Sequence, residues 1–159
     1  MSKLSNIDAI TQQPWLAFRL DGQHYAAPLS HVSEVIRDRA PTPVPGAADD
    51  LLGICQLRGS IVPVMDGRRR LGLRGAVVHD QDAVRIVVFA HGGHRVGFRV
   101  DAVGELLRPQ IDAIGPPPPG RLDCADDPVQ AVLAWQGGFV ALLDIVRLCR
   151  LAPELQRVA

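Results

Sequence analysis

Apolar residues recur along this chain in short runs of strand length. The clearest are residues 15–20, 60–65, 85–89, 95–100 and 139–143. Each run is rich in Val, Ile, Leu or Phe, and each is bounded by turn-forming residues, which predicts a strand. Asp21-Gly22 and Gly92-Gly93 stand between such runs and predict two-residue hairpin turns. Pro63 inside a run predicts an edge position or a bulge. Helical spacing is scarce. Leu29, Val32, Val35 and Ile36 share a face if residues 29–37 are helical, with Ser30 as a cap. Residues 67–73 and 144–151 have room for one or two helical turns. The pattern predicts a mainly β protein of many short strands.

An internal repeat shapes this expectation. The stretch from Gly53 to Asp66 aligns without a gap on the stretch from Ala131 to Asp144, at an offset of 131 − 53 = 78. Gly59 then matches Gly137, and Val62 matches Val140. A second pair, Gly22 to Ile36 and Gly93 to Leu107, aligns at 93 − 22 = 71 and matches Val32 with Val103 and Glu34 with Glu105. The order is the same in both halves, so the chain reads as two similar β units. Each has about 65 residues, which is marginal for independent stability, so the two are expected to share a core.

Composition narrows the functions. Seventeen basic and seventeen acidic residues give zero formal charge over 159 residues, which disfavours nucleic-acid binding by bulk electrostatics and a polybasic membrane-surface role. The polar residues 1–13 lack the apolar stretch of a signal peptide. Three cysteines, Cys55, Cys124 and Cys149, form no Cys-x-x-Cys pair, so a reducing cytoplasm is expected. Cys55 reads as a buried apolar side chain.

Candidate chemistry is sparse. Asp66 and Asp144 end equivalent strands. They could form a bilobal acid–base dyad, but neither has a hydroxyl beside it, and capping of the following turn is the simpler reading. His91 and His94 flank a turn without a third ligand nearby in sequence, so no metal is assigned. Neither a nucleophile elbow nor a phosphate loop is present, and no cofactor is expected. Arg68, Arg69, Arg70 and Arg74 read as a solvated turn or as a contact for an acidic surface. Pro116 to Pro119 reads as a stiff loop. Arg58 sits at a turn. If buried it needs a carboxylate, and Glu34 is a candidate partner. The repeat keeps the acid as Glu105 and replaces the arginine by Gln136.

These segments resemble the CheW-like domain of bacterial chemotaxis coupling proteins. The resemblance is carried in order by Leu16-Ala-Phe-Arg-Leu-Asp-Gly22, Val32-Ser-Glu-Val-Ile36, Thr42-Pro-Val-Pro-Gly-Ala47 and Leu52-Gly-Ile-Cys-Gln-Leu-Arg-Gly-Ser-Ile-Val-Pro-Val-Met-Asp66. Val96-Gly-Phe-Arg-Val-Asp-Ala-Val103 and Ala141-Leu-Leu-Asp144 complete it. The resemblance implies two SH3-like five-stranded β-barrels around a shared hydrophobic core, with a few short helices. It implies a polar tail over 1–13, a single domain over 14–151 and a C-terminal tail over 152–159. The first barrel would span about 14–82 and the second about 83–151.

The resemblance also implies a non-catalytic cytoplasmic scaffold recruited to membrane chemoreceptor arrays. Its partners would be the cytoplasmic hairpin tip of a chemoreceptor, in a groove between the barrels, and the CheW-like regulatory domain of a chemotaxis histidine kinase. Self-association into rings or chains is a further expectation. The groove and partner-binding positions carried over are Leu29, Val32, Glu34, Gly53, Arg58, Ile86 and Val103, with Glu34 and Arg58 as a structural ion pair. Gln56, Gly67 and Ala131 depart from the family pattern, with Gly67 expected to loosen its turn. A divergent relative serving pilus motility, or a competitor of kinase coupling, is the alternative.

Overall fold

The computed structural model describes residues 3–73, 80–118 and 127–150. Expectations on Arg74, Pro119, Cys124 and residues 151–159 lie outside the described residues. Among the described residues, eleven strands form two sheets. They are β1 (Trp15–Leu20), β2 (Gln23–Pro28), β3 (Val32–Arg37), β4 (Leu51–Leu57), β5 (Ser60–Asp66) and β6 (Arg85–His91), then β7 (His94–Val100), β8 (Ala102–Leu107), β9 (Ile114–Gly115), β10 (Val129–Trp135) and β11 (Gly138–Leu143). Helices α1 (Lys3–Thr11), α2 (Gly67–Arg70) and α3 (Ile145–Leu148) are short. The mainly β expectation holds.

The first sheet runs β8-β1-β2-β11-β10-β9 and the second β3-β6-β7-β5-β4. The boundary expected near residue 82 therefore does not divide the sheets. Each half lends its opening hairpin, β1–β2 or β6–β7, to the sheet built by the rest of the other half. The exchange is symmetric because the repeat is. β4–β5 and β10–β11 carry the same bulge, between Leu51 and Gly53 and between Val129 and Ala131. Asp66 N donates to Asp50 O at 2.8 Å, and Asp144 N to Pro128 O at 2.7 Å. All four antiparallel hairpins turn through two residues of positive φ: Asp21-Gly22, Arg58-Gly59, Gly92-Gly93 and Gln136-Gly137.

The apolar runs look continuous because both faces of the inner strands are covered. On β1, Leu16, Phe18 and Leu20 face a central core between the sheets, while Trp15 and Ala17 join a core on the other face of the first sheet. On β6, Val87 and Phe89 join the central core, while Ile86 and Val88 join Cys55, Val62 and Val64 on the other face of the second sheet. Phe18 and Phe89 are repeat counterparts, 89 − 18 = 71, and each contributes about 1.5–3 kcal/mol by burial.

Several expectations change. Residues 29–37 are a 3-10 turn (Leu29–His31) followed by strand β3, because pairing with β6 outweighs the helical spacing. The polar residues before 14 include α1, whose Ile10 is buried and whose Ile10 carbonyl accepts from Trp15 Nε1 at 2.9 Å. Pro63 lies in an interior strand, opposite Ile54. Ile54 turns its own N–H and C=O to Thr42, so Pro63 faces away from β4. The ladder to β7 begins only at Val64, so its missing N–H breaks no bond there.

Gly67 does not loosen its turn. It is buried, and an added Cβ would lie 2.7 Å from Arg99 O and 3.2 Å from Leu20. Arg69 is exposed, but Arg68 and Arg70 are partly buried and engaged. Arg68 pairs with Asp101, and Arg70 donates to the Leu148 and Arg147 carbonyls at 3.1 and 2.6 Å, capping α3.

Candidate functional site

Val32 and Val103 sit on the edge strands of opposite sheets, β3 and β8. Val32 pairs with Phe89, and Val103 with Phe18. The two valines are repeat counterparts opposite repeat counterparts. Both are partly buried against the central core, as is Leu29 on the 3-10 turn before β3. Leu29 N donates to Pro14 O at 3.0 Å, which ties that turn to the start of β1.

Glu34 follows Val32 by two residues on the same strand. Arg58 Nε donates to Glu34 Oε2 at 2.9 Å. The shielded partner is the acid, not the arginine. The Arg58 side chain is 74 % exposed and the Glu34 side chain 20 %. Glu34 Oε1 is buried and accepts no hydrogen bond. The arginine is held at a hairpin turn with φ +48°. A guanidinium anchored through Nε keeps its Nη donors for another acceptor.

Gly53 and Ile86 are placed differently from the other expected site residues. Gly53 has φ +153°, and an added Cβ would collide with the Thr42 carbonyl oxygen. Thr42 and Ile54 exchange backbone hydrogen bonds of 2.8 Å in each direction, so glycine lets the 42–43 segment cross β4. Its role is close packing. Ile86 is 1 % exposed and belongs to the core on the far face of β6, so it offers no binding surface. Only odd-numbered residues of β6 face the central core.

The two aspartates each serve their own helix. Asp66 Oδ1 accepts from Arg68 N at 3.0 Å, and Asp144 Oδ1 from Arg147 N at 3.2 Å. Both therefore act as helix caps. Among the described residues, no group of three or more His, Cys, Asp or Glu is placed to hold a metal ion. Cys55 is buried, as its strand position predicts.

Sequence reasoning missed two exposed apolar positions. Ile61 is 52 % exposed and Phe139 70 %. They are counterparts, 139 − 61 = 78, one residue into the second strand of equivalent hairpins. Phe139 borders a cleft of about 830 Å³, also lined by His24, Tyr25, Ile114 and Pro116. The signal was present in the repeat, as an apolar residue two positions after each turn glycine.

Two repeat-related sheets joined by a shared core, with edge valines flanking it and aspartates spent on caps, define a domain of SH3-like β architecture. The chain belongs to the CheW-like domain family, whose match covers residues 14–152. It is 31 % identical over 132 residues to a chemotaxis protein CheW of Rhizobium meliloti (strain 1021), covering 82 % of this chain and 83 % of the relative. It is 26 % identical over 134 residues to that of Bacillus subtilis (strain 168), covering 84 % and 85 %. The crystal structure of the scaffolding protein TtCheW from Thermoanaerobacter tengcongensis superposes with a TM-score of 0.73 at 26 % identity, covering 83 % of this chain and 88 % of that one.

Proposed function

We propose that this chain is a non-catalytic scaffold that couples chemoreceptors to a chemotaxis histidine kinase. The observation that carries the reading is that Val32 and Val103, on edge strands of opposite sheets, both pack against the central core, with the Glu34–Arg58 pair on the Val32 strand, in a chain of the CheW-like family. A helical hairpin docks through apolar anchors at i, i+3 and i+7, and Leu29, Val32 and Val103 offer apolar contacts of that kind. Arg58 adds an oriented cation at the groove rim. The hairpin ends bearing Ile61 and Phe139 are the surfaces for the kinase's CheW-like regulatory domain, because each exposes a large apolar side chain at an equivalent place. Like ends on one molecule also permit head-to-tail chains. The expected location is the cytoplasmic face of a receptor array. Among the described residues, no helix is long and apolar enough to cross a membrane.

Calorimetry with a receptor-tip fragment and with the kinase regulatory domain tests the reading. Saturable binding of both is expected. Failure to bind either overturns it. In a reconstituted kinase assay, Arg58→Ala lowers receptor-coupled activity while the fold is retained. Unchanged coupling in that variant removes the role given to Arg58.

A further inference from the structure

The family match begins at residue 14, so helix α1 and Gln13 precede the matched segment. The C-terminal end of α1 is firmly fastened. The last carbonyls of a helix lack donors within the helix. Here Ala9 O accepts from Gln13 Nε2 at 2.9 Å, and Ile10 O from the indole of buried Trp15 at 2.9 Å. Ile10 packs with Trp15 and Leu107 in the core on the outer face of the first sheet.

Gln13 does more than cap this helix. A carbonyl only accepts, so the amide nitrogen of Gln13 faces Ala9 and leaves the amide oxygen for another donor. That donor is Ser30 Oγ, at 2.9 Å from Gln13 Oε1. Next to it, Leu29 N donates to Pro14 O at 3.0 Å. Leu29 and Ser30 belong to the 3-10 turn before β3, which presents Leu29 beside Val32. Pro28, at the start of that turn, makes no side-chain capping hydrogen bond. The far end of the turn is held by His31, whose Nδ1 lies 3.2 Å from Ala90 O. At the repeat offset of 71, Gln13 and Ser30 correspond to Val84 and Asp101. A valine side chain cannot hydrogen-bond, so the second unit has no counterpart of this link.

We propose that Gln13 is a positioning residue for the receptor-binding edge. It ties the Leu29–His31 turn to the seated helix α1, so receptor affinity depends on α1 remaining docked. Ordering the turn in the free protein removes part of the entropy cost of ordering it in the complex. The inference rests on the coupling reading for the receptor role of Leu29 and Val32, whereas the tie between α1 and the turn is testable without a receptor.

Amide hydrogen exchange on the free full chain reads the tie. Gln13→Ala and Ser30→Ala should each speed exchange at the Leu29 N–H about 5-fold, and the double variant no more than either single change. Exchange at Val87, in the central core, should stay unchanged and shows that each variant is folded. Calorimetry with a receptor-tip fragment reads the consequence, and both single variants should bind about 3- to 5-fold more weakly. Gln13→Glu separates a relay from a local prop. Its carboxylate still accepts from Ser30 but cannot donate to Ala9 O, so it should weaken receptor binding as Gln13→Ala does. Wild-type receptor affinity in Gln13→Glu, or unchanged Leu29 exchange in Gln13→Ala, overturns the proposal. If Leu29 exchange responds but the wild-type chain binds no receptor tip, the coupling reading fails and the receptor role of Gln13 falls with it.

Discussion

Arg68 grips Asp101 with two nitrogens, Nε at 3.0 Å from Oδ1 and Nη2 at 2.7 Å from Oδ2. Asp101 Oδ2 also accepts from the backbone N–H of Asp21 at 2.8 Å. Arg68 follows β5 of the second sheet, and Asp21 turns between β1 and β2 of the first, so one carboxylate ties the two sheets. Its hydrogen bond to the carboxylate raises the Arg68 guanidinium above its already high range. Both side chains are mostly shielded. Arg68→Ala should cost roughly 3 kcal/mol in urea unfolding, because it leaves Asp101 without its counter-ion. Arg68→Ala combined with Asp101→Ala should cost less than the sum of the single changes.

Gly53 and its counterpart Ala131 differ in how much an exchange of their side chains costs. Gly53→Ala places a methyl group against the Thr42 carbonyl at a φ of +153° and should destabilise by about 2–4 kcal/mol. Ala131→Gly only adds backbone freedom and removes one buried methyl, a cost of about 1 kcal/mol. Thermal and urea unfolding of both variants compares the two sites.

The capping aspartates make independent contributions. Asp66→Ala and Asp144→Ala should each lower stability by about 1 kcal/mol, and the double variant by the sum. Strong coupling between them would revive the dyad reading. Additive unfolding energies identify them as separate caps.

Burial pushes the Cys149 thiol up to about 12, against an ordinary value of 9.0, with Arg70 opposing the shift. Below pH 9 the thiol is protonated in folded and unfolded chains alike. Between pH 9 and about 12 only the unfolded chain ionises, so the stability due to this group falls as pH rises through that window. Cys149→Ala should flatten the alkaline decline measured by urea unfolding. Iodoacetamide should label Cys149 slowly in the folded protein and rapidly in denaturant, as peptide mass spectrometry reads out.

The exchanged hairpins make the halves interdependent. Residues 1–80 or 81–159 expressed alone lack the hairpin that completes either sheet. Each fragment should give a collapsed amide spectrum by NMR, and an equimolar mixture should recover dispersed signals.

The repeat offsets and the hairpin turns were legible in the sequence because they are local or self-similar. An apolar run, a two-residue turn and a capping aspartate are each set by neighbours in the chain. The offset of 78 correctly equated β4–β5 with β10–β11, down to the bulge and the caps. The resemblance picked out Glu34 and Arg58, and the ion pair between them exists. Which side chain was shielded was not legible, because it depends on how a turn projects from a folded sheet. The helical spacing of 29–37 misled for the same reason, since pairing with β6 decides that segment from a distance. Ile86 also appeared available until the alternation of β6 turned it into the far core.

The sequence by itself determined two copies of one β motif, their turns and their capped ends. Only the tertiary structure decided how those copies share strands, because pairing partners far apart in sequence are selected by the burial of both faces. It also decided that Arg68 reaches Asp101, and that His31 meets His91. Such contacts join residues with no sequence proximity, and the three-dimensional exchange of hairpins between the two sheets is what makes them neighbours.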